Sequence, residues 1–385
     1  MAAGLRTLAL VFSVVVTVSV GTFIATHYHE VEQIVQVVSL LKSQSLSNPT
    51  TSQILHGALS GMVQSLNDPY SVYLEPSAYQ QLKAQVSGNY GGVGLVIDMR
   101  EGVLEVVLPF PKTPAYRAGI KKGDLIVKIG DQQTAGMDLE KAAELLKGPP
   151  GSQVTVSVQR PGETRLRDFV LTREVIQIPT VESKLLPRPL PIGYVRLTMF
   201  SDHTGQELGQ ALNELRQQGA KAIVLDLRNN PGGSLRAAVE VASYFIPRGP
   251  VVHLEYRARK ETYEALGNYL QLPLAVLINR TSASASEIVA GAIKDNGTGT
   301  LIGERTFGKG LVQTLFEIDS QAAVKLTTAR YLTPKGHDIN SKGIEPDITI
   351  KLDAQTEERI LTHSPDLGHD PQLQKAVELV SRKAA

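Results

Sequence analysis

The sequence predicts a mixed, layered α/β fold with a separate β-rich block and helical ends, and three observations predict it. Beyond residue 190, apolar runs of strand length such as "KAIVLDL", "LPLAVLIN" and "TGTLIG" alternate with helical stretches, one of them striped by Leu208, Leu212 and Leu215. That alternation is what helices packed on a largely parallel sheet require. Between about residues 90 and 160, short β-runs and tight turns surround a single amphipathic helix. Before residue 86 the apolar positions follow a helical period.

Composition restricts the settings. The 385 residues suffice for two or three domains, each with its own core. Lys plus Arg number 39 against 38 for Asp plus Glu, so no bulk field draws the chain toward nucleic acid. Partners must be recognised locally. The absence of cysteine removes disulfides, thiolate metal sites and a cysteine nucleophile together.

The elements then follow in order. Residues 8–25, "LALVFSVVVTVSVGTFIA", run 18 residues without charge or proline, roughly the shortest helix that spans a bilayer. A cleaved signal peptide competes with this reading, but its apolar region is usually shorter and ends in a small-residue site unlike "TFIATHYHE". We therefore expect an uncleaved membrane anchor within residues 1–28. Arg6 precedes the span and no Lys or Arg follows until Lys42, so the N-terminus is expected in the cytoplasm and the rest of the chain outside it. Residues 29–86 read as two helices. Ile34, Val37, Val38 and Leu41 form the first stripe, which Pro49 ends, and Leu55, Leu59, Met62 and Leu66 form the second, beginning near Ser52 and broken by "NDPYS". Such stripes suit packing against the rest of the chain or a second copy, so a homo-oligomer stays open.

Residues 87–173 form the β-rich block. Gly92, Val93, Gly94 and Leu95 precede "AGIKKGDLIVKIG" and the helical "MDLEKAAELLKG", and in "SQVTVSVQ" Val154, Val156 and Val158 alternate. In order and content this stretch resembles a PDZ domain. The resemblance implies a loop whose amides, around Gly92, Val93, Gly94 and Leu95, hold a free carboxylate beside an open strand edge that takes an extended peptide.

In the second half, at 174–355, two strand-end loops are placed where an α/β fold keeps its chemistry: "RNNPGG" and "RTSASASE". A third segment, "GERTFGKG" at 303–310, is one letter from a phosphate-binding loop. Gly310 stands where Ser or Thr should hold magnesium, and a β-run, "LVQTLFEI", follows where a helix should begin. Nucleotide binding is therefore not expected. "SASASE" instead sets Ser282, Ser284 and Ser286 where a strand gives way to a helix, whose first amides can stabilise an oxyanion. A serine nucleophile needs a base, and none of the eight histidines has a recognisable partner. A neutral lysine can serve, but lowering it from about 10.4 to about 7–8 costs about 3–5 kcal/mol. Phe307 and the glycines flanking Lys309 fit a tight apolar slot for that purpose. These arguments leave the choice among the three serines open, and Ser284 with Glu287 also reads as a helix capping box.

"TSASASEIVAGAIKDNG", "GERTFGKGLVQ", "LDLRNNPGG" and "YLTPKGHDINSKGIEPDI" together closely resemble the carboxyl-terminal processing proteases, serine endopeptidases with a Ser-Lys dyad and an inserted PDZ domain. The likeness runs from "LNDPYSVYLEP" to "DPQLQKAVELV". It implies a layered α/β serine protease core after an N-terminal helical region, and leaves 356–385 as a helical tail. By the same resemblance Ser284 is the nucleophile, Lys309 the general base and Gln313 the residue that orients the lysine. On a straight strand Lys309 and Gln313 would lie about 13 Å apart, so a bend is expected, with Gly310 its natural place. The implied oxyanion donors are the amides of Ala285 and of Gly232, ahead of Gly233. Lys147 stands where relatives often carry an arginine that couples peptide binding to the active site, and a lysine lacks the planar fork. No metal or organic cofactor is implied. The expected function is endoproteolysis of extracytoplasmic proteins near their free C-termini, with a catalytically inactive PDZ adaptor as the alternative.

Overall fold

The computed structural model describes residues 22, 25–100, 102–187, 190–318, 321–362 and 366–384. All but Thr22 and Ala25 of the run at 8–25 lies outside the described residues. Among the described residues no helix is long and apolar enough to cross a membrane.

The chain forms two compact units. The smaller, which also takes in residues 315–326, contains helix α1 (Tyr28–Gln44), helix α2 (Thr51–Gln64) and strand β1 (Val72–Leu74). No residue of α1 is buried, so its apolar stripe faces outward. The second helix starts one residue before the expected Ser52, because Thr50 caps it. Its hydroxyl accepts from the Gln53 amide at 3.2 Å, and Gln53 Oε1 accepts from the Thr50 amide at 2.7 Å. Val72, Tyr73 and Leu74 of β1 pair antiparallel with Lys325, Val324 and Ala323.

The larger unit opens with α3 (Pro76–Ser87) and β2 (Asn89–Gly92) and continues into a β-rich block. The block contains β3 (Leu95–Arg100), β4 (Val103–Pro109), α4 (Pro114–Ala118), β5 (Leu125–Ile129), β6 (Gln132–Gln133), α5 (Leu139–Leu146), β7 (Gln153–Gln159) and β8 (Leu166–Thr172). Its sheet order is β3-β4-β5-β7-β8, with β6 beside β5, so among the described residues β3 has a free edge. Ala142 and Leu146 of α5 pack on Ile126, Val154, Val156 and Val158. The chain leaves the block through β9 (Glu174–Gln177), which pairs antiparallel with β2. The block thus enters and leaves through a two-stranded ribbon. Gly91 permits this join, since a Cβ there would lie 2.2 Å from the Gly148 carbonyl oxygen.

Next come β10 (Val181–Leu186), β11 (Ile192–Leu197), α6 (Thr204–Gln217), β12 (Ala222–Asp226), α7 (Leu235–Ser243), β13 (Pro250–Tyr256), β14 (Lys260–Glu264) and β15 (Leu274–Ile278). They are followed by α8 (Ala285–Asn296), β16 (Thr300–Gly303), β17 (Leu311–Glu317), β18 (Ala323–Leu332), β19 (Ile348–Thr349), α9 (Ala354–Thr362) and α10 (Pro371–Ala384). The central sheet runs β10-β11-β12-β15-β16-β19, parallel from β11 onward. Fully buried strands such as "LAVLI", and "AIVLD" as far as Leu225, have two apolar faces, and helices cover both. Ile223, Leu225, Val276 and Ile278 pack with residues of α6, α7 and α8. Ala222, Val224, Ala275 and Leu277 pack with Leu373, Ala376, Val377 and Val380 of α10. The segment expected as a tail therefore supplies a third layer of the core. Its sequence shows a helix but not the face it covers. The antiparallel pairing of β13 with β14 and with the end of β18 was likewise not visible from local pattern.

Within the β-rich block, Asp124 is 1% exposed and accepts from Arg160 Nε and Nη2 at 2.7 and 2.8 Å and from the Lys121 amide at 2.8 Å. Burial by itself raises this carboxyl, but the Arg160 and Lys121 hydrogen bonds outweigh it and hold the group below its ordinary range. A depressed folded-state value adds stability above the unfolded pKa, which is lost as pH falls through the folded one. Asp124→Asn should cost about 3 kcal/mol at neutral pH. Thermal melts as a function of pH should also show the acid-side loss reduced in the variant.

Candidate active site

The two loops singled out in the sequence meet at Asn229, which accepts from the Thr281 hydroxyl at 2.8 Å, and at the Asn230 backbone carbonyl. Asn230, in the loop after β12, accepts at its carbonyl oxygen from the Ala283 amide at 3.1 Å and the Ser286 hydroxyl at 3.0 Å. Its side chain donates to the Leu197 carbonyl at 2.8 Å and accepts from the Gly232 amide at 2.9 Å. Asn229 and Asn279 are cross-bonded beside it, Asn229 N to Asn279 Oδ1 at 3.0 Å and Asn279 Nδ2 to Asn229 Oδ1 at 2.9 Å. The asparagine pair of "RNNPGG" thus stitches this loop to the serine loop.

These bonds separate the three serines. Ser282 is wholly buried and donates its hydroxyl to the Leu227 carbonyl at 2.8 Å, and Ser286, equally buried, donates to Asn230. Both build the loop. Ser284 is 8% exposed and sits at φ 55°, ψ −113°, between the end of β15 and the first turn of α8. A positive φ on a serine costs about 1–3 kcal/mol and persists only where its surroundings impose it. Here the strand-to-helix turn is so tight that the hydroxyl stands at the helix N-terminus.

Glu287 imposes that turn. Wholly buried in the first turn of α8, it accepts from the Ser284 amide at 2.9 Å and the Lys309 amide at 2.8 Å on Oε2. Its Oε1 accepts from the Thr306 hydroxyl at 2.5 Å and the Gly308 amide at 2.7 Å. One carboxylate therefore fixes the backbone at both Ser284 and Lys309. The same contacts explain why "GERTFGKG" is no phosphate loop, since a side chain of the protein already occupies the Gly308 and Lys309 amides. Sequence reading assigned Glu287 only a capping role and overlooked Thr306. The signal was a lone acid heading the apolar run "EIVAGAI".

Lys309 is half-buried. Phe307 is 59% exposed, so it does not form the apolar slot expected around the lysine. Its amide is tied to the Ser282 carbonyl at 3.0 Å, which turns the ring outward. Gly310 lies against Asn340, where a Cβ would come within 2.5 Å of the Asn340 amide nitrogen, and the chain passes there into β17. Gln313, half-buried in β17, donates to the Leu311 carbonyl at 3.3 Å. Gly232 has φ +100°, and a Cβ on it would lie 2.8 Å from Ser284 Cβ and 2.9 Å from the Ala285 nitrogen. Only glycine allows that approach. The Gly232 amide is engaged by Asn230, however. Among the described residues, the amides of Ala285 and Gly233 have no acceptor.

In the β-rich block, Val93, Gly94 and Leu95 line a cavity of ≈ 40 Å³ with Tyr90, Ile97, Ala143, Leu146 and Lys147. Gly92 stands behind it, where a Cβ would meet the Tyr90 ring at 2.7 Å. Lys147, at the C-terminal end of α5, holds its ammonium 5.7 Å from the centre of that ring. The cavity lies between α5 and the free edge of β3.

If Glu287 sets the site, Glu287→Gln should be severe despite its equal size, because its amide group presents donors to groups that are themselves donors. An unsatisfied buried group costs at least about 1–3 kcal/mol. The melting temperature should fall and proteolysis should drop at least tenfold, measured by circular dichroism and by cleavage of an unfolded protein. Wild-type behaviour in both assays would reject the role.

Comparison with known proteins gives the family. Residues 191–350 match peptidase family S41, residues 106–160 a PDZ domain and residues 17–78 the N-terminal domain of the activating protease CtpB. The chain is 42% identical to a carboxyl-terminal-processing protease of Picosynechococcus, over 81% of this chain and 77% of the relative. It is 35% identical to the carboxy-terminal processing protease CtpB of Bacillus subtilis, over 83% and 68%. The solved structure of a photosystem II D1 C-terminal processing protease superposes with a TM-score of 0.50 at 36% identity, covering 86% of this chain and 88% of that one. With its PDZ domain and S41 region, this chain belongs to the carboxyl-terminal processing proteases, and it is a serine protease.

Proposed function

We propose that the chain is an endopeptidase that cleaves proteins near their C-termini, with Ser284 as nucleophile, Lys309 as general base and the PDZ domain holding the substrate's free end. The observation that carries this reading is the Glu287 carboxylate. One of its oxygens receives the amides of both Ser284 and Lys309, at 2.9 and 2.8 Å. Neutral Lys309 takes the Ser284 proton as Oγ attacks the scissile carbonyl, and returns it to the leaving amine. Water then attacks the acyl-enzyme with the same base. The Ala285 amide receives the oxyanion together with a glycine amide of "PGG". Gly233 is available as the structure stands, whereas Gly232 must first leave Asn230. Gln313 orients the lysine. The mechanism requires no metal or organic cofactor.

On the PDZ side, the loop of Gly92, Val93, Gly94 and Leu95 takes the terminal carboxylate and the free edge of β3 pairs with the preceding residues. Lys147, lining the cavity, couples that binding to the active site. The location rests on the sequence: residues 1–28 anchor the protein in a cell membrane, with the catalytic part outside the cytoplasm. Full-length protein should resist alkaline extraction from membranes, and its release would remove the anchor.

Ser284→Ala and Lys309→Ala should each abolish cleavage of a denatured protein, with no further loss in the double variant, because both act in one step. Ser282→Ala should remain measurably active. Wild-type turnover in Ser284→Ala would sink the nucleophile, and a folded wild-type chain that cleaves nothing would leave the inactive adaptor.

Amidating a substrate's C-terminus should lower its cleavage substantially, whereas a matched internal change should not. Equal cleavage of amidated and free-acid forms of several substrates would reduce the PDZ domain to packing.

A further inference from the structure

A second buried polar cluster lies on the opposite side of the "RNNPGG" loop from the serine, and the Ser-Lys chemistry makes no use of it. Arg228, 2% exposed, folds back on Asp226 at the end of β12, donating from Nη2 at 2.6 Å and from Nε at 3.0 and 3.1 Å. Tyr194 donates its hydroxyl to the same carboxylate at 2.8 Å. The remaining Arg228 donors leave the loop altogether. Nη2 reaches Asp370 Oδ2 at 2.8 Å and Nη1 reaches Gln372 Oε1 at 3.0 Å. Asp370 stands at the start of α10, where its other oxygen accepts from the Leu373 amide at 3.0 Å, and Gln372 donates to the Ile350 carbonyl at 2.7 Å.

The chain changes hand immediately after this arginine. Asn229 has φ +59° and bonds to Asn279, Asn230 carries the serine loop, and Gly232 and Gly233 follow. The turn that ends in the oxyanion glycines is therefore held at two points: by Asn229 and Asn230 on the serine side, and by Arg228 on α10.

We propose that Asp370 is a positioning residue for catalysis, acting through Arg228 to fix the turn that presents the glycine amides opposite Ala285. It lies beyond the S41-matched region at 191–350, so a segment outside the recognised catalytic part completes the site. The proposal rests on Ser284 and the "PGG" turn being the reaction centre.

Asp370→Asn in the full-length chain isolates the link. An asparagine can keep its oxygen on the Leu373 amide and so still cap α10, but its amide group then faces the Arg228 guanidinium donor to donor. Arg228 retains Asp226, so the fold is not left with an unpaired charge. The variant should keep its helical circular dichroism while kcat falls at least tenfold and KM for a tail peptide changes less than twofold. Labelling of Ser284 by a fluorophosphonate should slow in parallel, because that adduct uses the same amides. Asp370→Glu, which can restore the ion pair, should recover part of both rates. Wild-type kcat and labelling rate in folded Asp370→Asn and Asp370→Ala would overturn the proposal. A fall in helicity with KM rising alongside would make Asp370 structural only, and overturn it equally. Labelling that persists in Ser284→Ala would instead remove the nucleophile reading on which the proposal stands.

Discussion

The Glu287 carboxylate is the constraint on which the site depends. A carboxylate removed from water must find hydrogen-bond donors, and this one finds four, from Ser284, Thr306, Gly308 and Lys309. Those donors come from the segments that follow the paired strands β15 and β16, beyond the point where the pairing ends. Because every donor must reach the same two oxygens, the serine turn and the lysine loop have little freedom relative to each other. The register begun by the β15–β16 pairing is thereby carried into both loops by a group that need not touch substrate. The strain at Ser284 is intelligible on the same basis, since an imposed φ of 55° survives where its amide is held from within its own helix.

Much of the architecture was legible because periodicity reports burial. The strand "LAVLI", and "AIVLD" up to its terminal Asp226, are apolar because helices cover both faces, and "MDLEKAAELL" shows a stripe because only one face is covered. Long-range pairing left no such mark. Nothing local in Pro250–Tyr256 indicates that it lies against the end of β18, and the helix at Pro371–Ala384 reads as amphipathic without showing that its apolar side completes the central layer.

At the site, the sequence exposed the residue types but not their roles in space. Three serines alternating with alanines are chemically equivalent as letters. They differ only when Leu227 and Asn230 supply carbonyls to the outer two. The resemblance implied Gly232 only as an oxyanion donor, and the structure adds that Ser284 and Ala285 approach it too closely for any side chain. That its own amide turns back to Asn230 depends on a side-chain rotamer, which composition and spacing do not encode. Phe307 misled for a related reason, since an aromatic letter beside a lysine implies burial only if the backbone turns it inward.

The ribbon of β2 and β9 has a consequence for how such a chain can acquire and fold its parts. Gly92 and Glu174 are paired neighbours although about 80 residues separate them in sequence. An excursion that begins and ends at adjacent points leaves the host's connectivity as a short hairpin would. The entropy of closing it grows only logarithmically with its length. The inserted block can collapse on its own local contacts, and the surrounding protease needs from it only that two ends stay side by side. Length and content inside that boundary are thus free to diverge under selection for what is gripped, while the folding of the host is left largely undisturbed.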